Sequence, residues 1–333
     1  MALPSSGPLS IADIRDEFGG SNPASLSQYY RGAGLVPDVP ANSSVPTSGA
    51  ISVQDFYGAN NELFVEVTST QVNLDIATLF PSADWTSTIN KRVQINSNVT
   101  IGSNSTGNPA LTIPSNYGGT VYLDNNGSIQ GAGGNGGVGG NAIQVSNGNP
   151  TQVDIDNQGT IYRGGGGGGT GGKGGNSSCS PTTSPGPCNS GGGGCGFCPG
   201  CGGGCSGCGC NCVNQCRPGV CFFVARCSCP QSNPRPNSAG GNGGSGGRGQ
   251  GYDGNAANGQ PGNGSSSCGS GGTGGTGGRG GNFGASGNSG SPGGNGNLSS
   301  GASGGPGFAA GNYVNGVANV NWVNLGTVAG NTA

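Results

Sequence analysis

The chain has 333 residues, a net charge of −2 from 11 basic and 13 acidic side chains, and no histidine. Apolar residues make up 30% and charged residues 7%, against about 45–50% and about 25% in an ordinary globular domain, so a conventional side-chain core running through the whole length is excluded. The near-neutral balance lacks the basic footprint of a nucleic-acid binder. Without histidine and with few carboxylates, acid–base or triad chemistry has little to use.

No apolar run approaches about 18 residues, so no transmembrane helix is expected. The opening MALPSSGPLSIADIRDEF lacks a basic segment followed by an apolar one, so no secretory leader is expected either.

Residues 1–60 read as a separate unit. Two copies of S-G-x-[LI]-S-[IV]-x-D-[IF] start at Ser6 and Ser48, with a degenerate copy at Ser25–Tyr29. In the first copy Ser10 is an N-cap with Asp13 three residues on. Ile11, Ile14 and Phe18 keep helical spacing before Gly19. Ser52 and Asp55 hold the same places in the second copy, followed by Tyr57-Gly58. These short helices cannot stand alone, and Pro37, Pro40 and Pro46 between them predict an extended linker. Ile11, Ile14, Phe18, Val53, Phe56 and Tyr57 are therefore candidate pegs for docking onto another protein, the alternative being a small self-contained fold.

Residues 61–130 read as a β-rich domain. Leu63, Val65 and Val67 alternate, as do Val93 and Ile95, Leu111 and Ile113, and Val121 and Leu123. A second repeat, V-x-[LIW]-x-N-x-G-[ST]-[IV], occurs at Val121–Ile129, Val153–Ile161 and Val320–Val328. Each copy predicts a strand, a bend and a short strand, and repeats of one such unit stack. Asp154 and Asp156 lie on one face of their strand. They are the one close carboxylate pair in a strand, where a glycan-cleaving enzyme needs a pair across a groove.

Residues 131–333 read as a glycine-rich domain. Of the 79 glycines, many fall in four Gly-Gly-X arrays beginning near Gly133, Gly168, Gly240 and Gly271. A period of three is neither the ~3.6 of an α-helix nor the ~2 of a strand. It is the period of a polyproline-II type helix, with about 3.1 Å rise. Two faces of such a helix carry no side chain, so backbones can pack on one another. The X positions, among them Asn135, Val138, Thr170, Lys173, Ser245, Arg248, Thr276 and Arg279, would line an outer edge. The expected fold is therefore mostly irregular and β: short N-terminal docking helices, a β-rich middle domain and a C-terminal polyglycine-II helix sandwich with a disulfide-rich loop insertion at 177–239. Disorder is the competing reading of such tracts. Collagen fails, because the arrays carry two Gly in three and the 21 Pro lie mostly outside them.

All 14 cysteines fall in or just after the insertion: Cys179, Cys188, Cys195, Cys198, Cys201, Cys205, Cys208, Cys210, Cys212, Cys216, Cys221, Cys227, Cys229 and Cys268. An even count in a loop-rich segment favours disulfides, with the pairing open. An all-thiolate zinc site and free thiols are the alternatives; no metal and no cofactor are expected. One disulfide across Cys221 and Cys227 would staple a loop holding Phe222, Phe223, Val224 and Arg226. With Tyr252 and Phe283, these are the candidate contacts with a binding partner, since exposed aromatics with Arg typify binding hot spots. The alternative for Phe222 and Phe223 is a mini-core under the cysteines.

A strand such as Val153–Ile161 running into Gly164–Gly169, with Val320–Val328 closing the chain, resembles the glycine-rich tip proteins of tailed bacteriophages, among them the T-even long-tail-fibre adhesins. SGPLSIADI and SGAISVQDF also look like the starts of phage structural proteins. The resemblance covers residues 61–333 and implies a tail-fibre or tail-tip protein that binds a bacterial surface receptor, protein or glycan. It implies a virion location after synthesis in the host cytoplasm, release by lysis, and other virion tail proteins as partners of the N-terminus. It leaves a homotrimer and a monomer open. Carried over, the receptor loops are 142–160, 177–239, 249–270 and 283–292. The cysteine cluster departs from that pattern. The alternative function is a purely structural fibre component with the glycine lattice as a stiff spacer.

Overall fold

The computed structural model describes residues 3–146, 153–178, 237–265, 270–316 and 320–329, together with the strand pairing of 182–187, 209–217 and 220–233. Two α-helices occur among the described residues; nearly all other regular structure is β.

The N-terminal unit is built on repeated caps. Helix α1 (Ile11–Phe18) starts at a capping box in which Ser10 and Asp13 bond each other's backbone, and ends at Gly19 with φ 78°. The same reciprocal cap opens 3-10 turns at 26–28, with Ser25 and Gln28, and at 53–56, with Ser52 and Asp55. All three turns send an aromatic into one core. Phe56 lies 6.4 Å from Phe18 and 6.3 Å, edge-on, from Tyr29, surrounded by Leu3, Ile14, Val36, Val45 and Ala59. The stretch between the copies is not an extended linker. Val36, Val39 and Val45 are buried, 40–42 is a 3-10 turn, and Arg31 Nε donates to the Val45 carbonyl at 3.1 Å. Burying three valines outweighs the extended preference that proline imposes.

From Glu62 the chain coils through three parallel sheets. The first turn holds β1 (Glu62–Val67), β2 (Gln71–Val72) and β3 (Leu74–Asp75). After α2 (Ser82–Thr86) come β4 (Asn90–Ile95), β5 (Thr100–Gly102) and β6 (Leu111–Ile113), then β7 (Val121–Asn125), β8 (Ser128–Gln130) and β9 (Ile143–Val145). Next are β10 (Val153–Asn157) and β11 (Thr160–Tyr162). The end of the chain adds β15 (Val314–Asn315), β16 (Val320–Asn324) and β17 (Thr327–Ala329). The sheet orders are β1-β4-β7-β10-β16, β2-β5-β8-β11-β17 and β3-β6-β9-β15, so the chain forms a three-sided solenoid.

Its core consists of columns of like residues. Val65, Val93, Leu123, Ile155 and Trp322 stand in one register row. Ile101, Ile129, Ile161 and Val328 stand in another. Both sheets draw strands from 62–130 and from beyond it, and the three copies of V-x-[LIW]-x-N-x-G-[ST]-[IV] are neighbouring turns.

The Asn and Gly of that motif make the corner between two sheets. Asn125 Nδ2 donates to Asn157 Oδ1 at 2.7 Å, and Asn157 Nδ2 to the Leu325 carbonyl at 2.7 Å. A Cβ on Gly159 would lie 2.0 Å from the Gly127 carbonyl oxygen, and one on Gly326 2.0 Å from that of Asn157. Each corner therefore stacks directly on the backbone of the one before.

The expected fold class is corrected on this point: the regular framework is stacked parallel sheets, not a β-rich middle followed by a polyglycine-II helix sandwich. Among the described residues, the glycine segments carry no helix. They are extended passes attached to the solenoid. Nor is the cysteine-rich insertion, where it is described, a loop. Its described part is an antiparallel sheet, β12 (Thr182–Pro187), β13 (Gly209–Arg217) and β14 (Val220–Asn233), in the order β12-β14-β13. Cys221 and Cys227 share strand β14, so six steps of about 3.3 Å separate them, whereas a disulfide needs Cα atoms about 4.4–6.8 Å apart. The stapled loop does not form. Cys179, Cys188, Cys195, Cys198, Cys201, Cys205, Cys208 and Cys268 lie outside the described residues.

Candidate functional site

The glycine passes leave the solenoid after β11 and run side by side. Residues 164–176 run outward. Their N–H groups at 165, 168, 171 and 174 donate to the carbonyls of Gln250, Gly247, Gly244 and Gly241 at 2.7–2.8 Å. Residues 239–250 thus return toward the solenoid, and donate in turn, every third residue, to 271–282. Residues 271–282 donate back to 164–176 at 2.8–3.0 Å, which closes a ring of three chains.

Three further passes surround this ring. Residues 256–264 run outward against 239–250, 285–296 outward beside 164–176, and 299–311 inward against 164–176. The bonds recur at every third residue because every third residue points its N–H at the same neighbour. Contact is this close because the side chains are missing: a Cβ on Gly168 would lie 2.0 Å from the Gly278 carbonyl oxygen, and one on Gly246 1.8 Å from that of Gly168. Thr170, Lys173, Asn242, Ser245, Thr273, Thr276 and Arg279 are exposed on the outside of this stack.

These directions sort the connections onto two ends. At the base, against the solenoid, lie the turns 251–255 and 283–285. At the far end lie residues 177–178 and 237–238, residues 264–265 and 270–271, and the turn 297–299. Twelve steps of extended chain, from Gly164 to Asn176, separate the ends by about 40 Å.

Of the loops expected to meet a receptor, 142–160 contributes β9 and β10 to the solenoid, and 283–292 is a base turn followed by an outward pass. Among the described residues of those loops, 177–178, 237–238 and 264–265 lie at the far end.

The candidate residues divide accordingly. Tyr252 belongs to a base turn: its N–H bonds the Gly131 carbonyl at 3.1 Å, and its ring covers Gly102, where a Cβ would meet the ring at 2.2 Å. Asp253 beside it accepts from Gly133 N–H at 2.8 Å and pairs with Arg248. Phe283 stacks on Tyr162 with centroids 5.2 Å apart. Phe222, Phe223, Val224 and Arg226 lie on β14.

The far end also carries a turn that the sequence reading passed over. Asn297 bonds Ser178 in both directions: its Oδ1 accepts the Ser178 N–H at 2.8 Å and its Nδ2 donates to Ser178 Oγ at 3.0 Å. Ser299 Oγ accepts the Asn176 N–H at 2.9 Å. Leu298 between them is half exposed, at 51%. Ser177 and Ser238 exchange backbone bonds at 2.9 Å each way, pinning both ends of the insertion to the same place. The available signal was a lone leucine in an otherwise polar NGNLSSG run.

The expected docking residues are placed in the N-terminal unit. Ile14, Phe18 and Phe56 are fully enclosed in its core, while Ile11, Val53 and Tyr57 are half exposed. Asp13 is held below its ordinary pKa by its hydrogen bonds to Ser10. At the start of the solenoid, Phe64 is 51% exposed beside a groove lined by Leu63, Leu79, Phe80 and Pro81.

Charged side chains of the solenoid are absorbed into its structure. Arg92 bonds Glu62 at 2.7 Å and Asp124 at 2.9 Å, with its guanidinium 4.5 Å over the Tyr122 ring. The Glu62 bond, with Asp124 adding, holds it firmly charged. Lys91 is fully buried and donates to the carbonyls of Ser87 and Gly118; burial pushes its pKa down to about 8, against the pull of Asp84. Asp154 accepts from Asn321 Nδ2 at 3.1 Å and Asp156 from Gln158 Nε2 at 2.9 Å. These two carboxylates bond neighbouring amides rather than facing each other across a groove.

Comparison with known proteins agrees with an attachment device. No curated protein matches the chain. Among solved structures it is similar to the gp37–gp38 adhesin tip complex of the bacteriophage S16 long tail fibre, at 19% identity, with 99% of this chain and 100% of that chain covered and a TM-score of 0.41. Residues 62–333 match the model of the phage tail fibre adhesin Gp38. The chain belongs to that family of tail-fibre adhesins.

Proposed function

We propose that this adhesin meets its bacterial receptor with the far end of the glycine passes and faces the virion with its N-terminal unit and the start of the solenoid. The observation that carries this reading is the two-ended order of the passes. Every base turn is occupied in holding the solenoid, whereas the far end gathers the two ends of the insertion at Ser177 and Ser238 and the turn at Leu298. Such an end presents several contacts at once, and simultaneous contacts multiply affinity without any new chemistry. Adhesion here involves no catalysis, in keeping with the absence of histidine and with carboxylates engaged in local bonds.

On the virion side, the half-exposed Ile11, Val53 and Tyr57 and the groove beside Phe64 supply apolar surface for another tail-fibre protein. The N-terminal unit docks as a folded body, since Ile14, Phe18 and Phe56 fill its own core. The protein is carried on the virion, made in the host cytoplasm and freed by lysis.

Adsorption of phage carrying single substitutions to the bacterium on which it grows tests the assignment. Leu298→Asp at the far end is expected to slow adsorption by about tenfold, the loss of roughly 1.4 kcal/mol of contact. Val138→Asp, equally exposed at 53% but beside the base, is expected to leave it unchanged. Equal effects at both positions would remove the distinction between the ends.

A further inference from the structure

Arg163 is the residue between β11 and the first glycine of the outward pass. Its side chain spans two other passes: Nη1 donates to the Gly311 carbonyl at 2.8 Å and Nη2 to the Gly284 carbonyl at 2.8 Å. Its backbone reaches the same neighbourhood. The Arg163 carbonyl accepts from Gly284 N–H at 3.1 Å, and its N–H donates to the Ala329 carbonyl at 3.4 Å. One residue therefore ties together the exit from the solenoid, the base turn at 283–285, the inward pass where it rejoins the solenoid, and the terminal strand β17. The stack of Tyr162 on Phe283, inclined by 28°, closes the same joint from the neighbouring position.

We infer that Arg163 is a positioning residue for attachment: it sets the angle between the glycine passes and the solenoid, and through that angle the place of the far end. The inference rests on the reading that the far end meets the receptor. Leverage makes the joint matter. With the far end about 40 Å away, a tilt of roughly 10° displaces it by about 7 Å, more than any contact tolerates.

Two chemical features suit arginine to this place. Its planar fork presents two donors in fixed directions, which matches two carbonyls on different passes. A lysine ammonium is a single point with no such span. Partial burial strengthens both bonds, since the competing water is excluded.

The test uses the full chain with Arg163→Lys, Arg163→Gln and Phe283→Ala. Residual dipolar couplings measured separately on the solenoid and glycine-pass amides report the angle and its spread; adsorption of phage carrying each variant reports attachment. Arg163→Lys is expected to keep the internal couplings of both parts, broaden the angle between them and slow adsorption by about tenfold through lost preorganisation. Phe283→Ala is expected to loosen the same joint. An unchanged angle in both Arg163→Lys and Phe283→Ala overturns the clamp. A broadened angle with wild-type adsorption overturns the positioning role. If instead Leu298→Asp adsorbs normally, it is the receptor-face reading that fails, whatever the angle shows.

Discussion

The solenoid and the glycine passes answer one requirement, that buried backbone groups be paired, in opposite ways. In the solenoid, hydrogen bonds join neighbouring turns while columns of Val, Leu and Ile fill the interior. Stability there comes from removing apolar surface from water, at roughly 25 cal/mol per Å2. In the glycine passes, the hydrogen bonds run to several neighbours around each chain and leave no interior for side chains. Nothing apolar is buried, so these passes draw on backbone bonds and close contact alone. Ordering them costs more entropy per residue than ordering any other sequence. The solenoid is thus what makes the passes possible: it supplies fixed ends at Gly131, Arg163 and Gly311, so that each pass starts in register.

This contrast predicts opposite sensitivities to atom count. Removing side-chain atoms from the solenoid has the largest expected effect. Leu123→Ala, at a fully buried column position, should lower unfolding stability by about 3–4 kcal/mol, read by denaturant titration. In the passes, adding a single carbon should hurt nearly as much. Gly168→Ala places a methyl against the Gly278 carbonyl and is expected to cost about 3 kcal/mol through overpacking. Gly137→Ala, whose Cβ would meet nothing within 4 Å, should be neutral or slightly stabilising, by about 0.5 kcal/mol. A Gly168→Ala protein as stable as wild type would erase the contrast.

Smaller effects sharpen the solenoid side. Asn157→Ala removes the bonds to Asn125 and to the Leu325 carbonyl and should cost about 2 kcal/mol, with β17 losing amide protection first. Lys91 gives a pH signature. Its pKa is depressed to about 8, so between pH 8 and the ordinary lysine value near 10.4 the unfolded chain binds more protons than the folded one. Stability should therefore rise with pH through that window, and Lys91→Met should flatten the rise.

The legibility of the sequence follows the same division. Repeats with side-chain identity could be read. The motif at Val121, Val153 and Val320 located three neighbouring turns, and Ser10, Ser25 and Ser52 located three capped turns. The coiling of those strands into one solenoid was harder to see, because a 12-residue glycine excursion separates β8 from β9 and more than 150 residues separate β11 from β16. Such long-range returns leave no local periodicity. The Gly-Gly-X spacing placed the polar X residues on the outside, but it says nothing of pass direction. Whether a turn falls at the base or at the far end depends on direction, so the spacing alone could not place Tyr252 and Phe283 at the base or Leu298 at the far end. The fold of the stretch between the capped turns was not legible for an energetic reason: Phe18, Tyr29 and Phe56, far apart in sequence, bury their rings against one another.

Amide exchange by NMR on the intact, isotope-labelled chain tests directly whether the passes hold the far end in place. The N–H groups of Gly168, Gly171, Gly244, Gly247, Gly275 and Gly278 each have a carbonyl partner within 2.9 Å, so they should exchange as slowly as those of Leu123 and Ile155 in the solenoid. Exchange at random-coil rates in these six glycines, with the solenoid still protected, would show that nothing rigid joins the base to the far end.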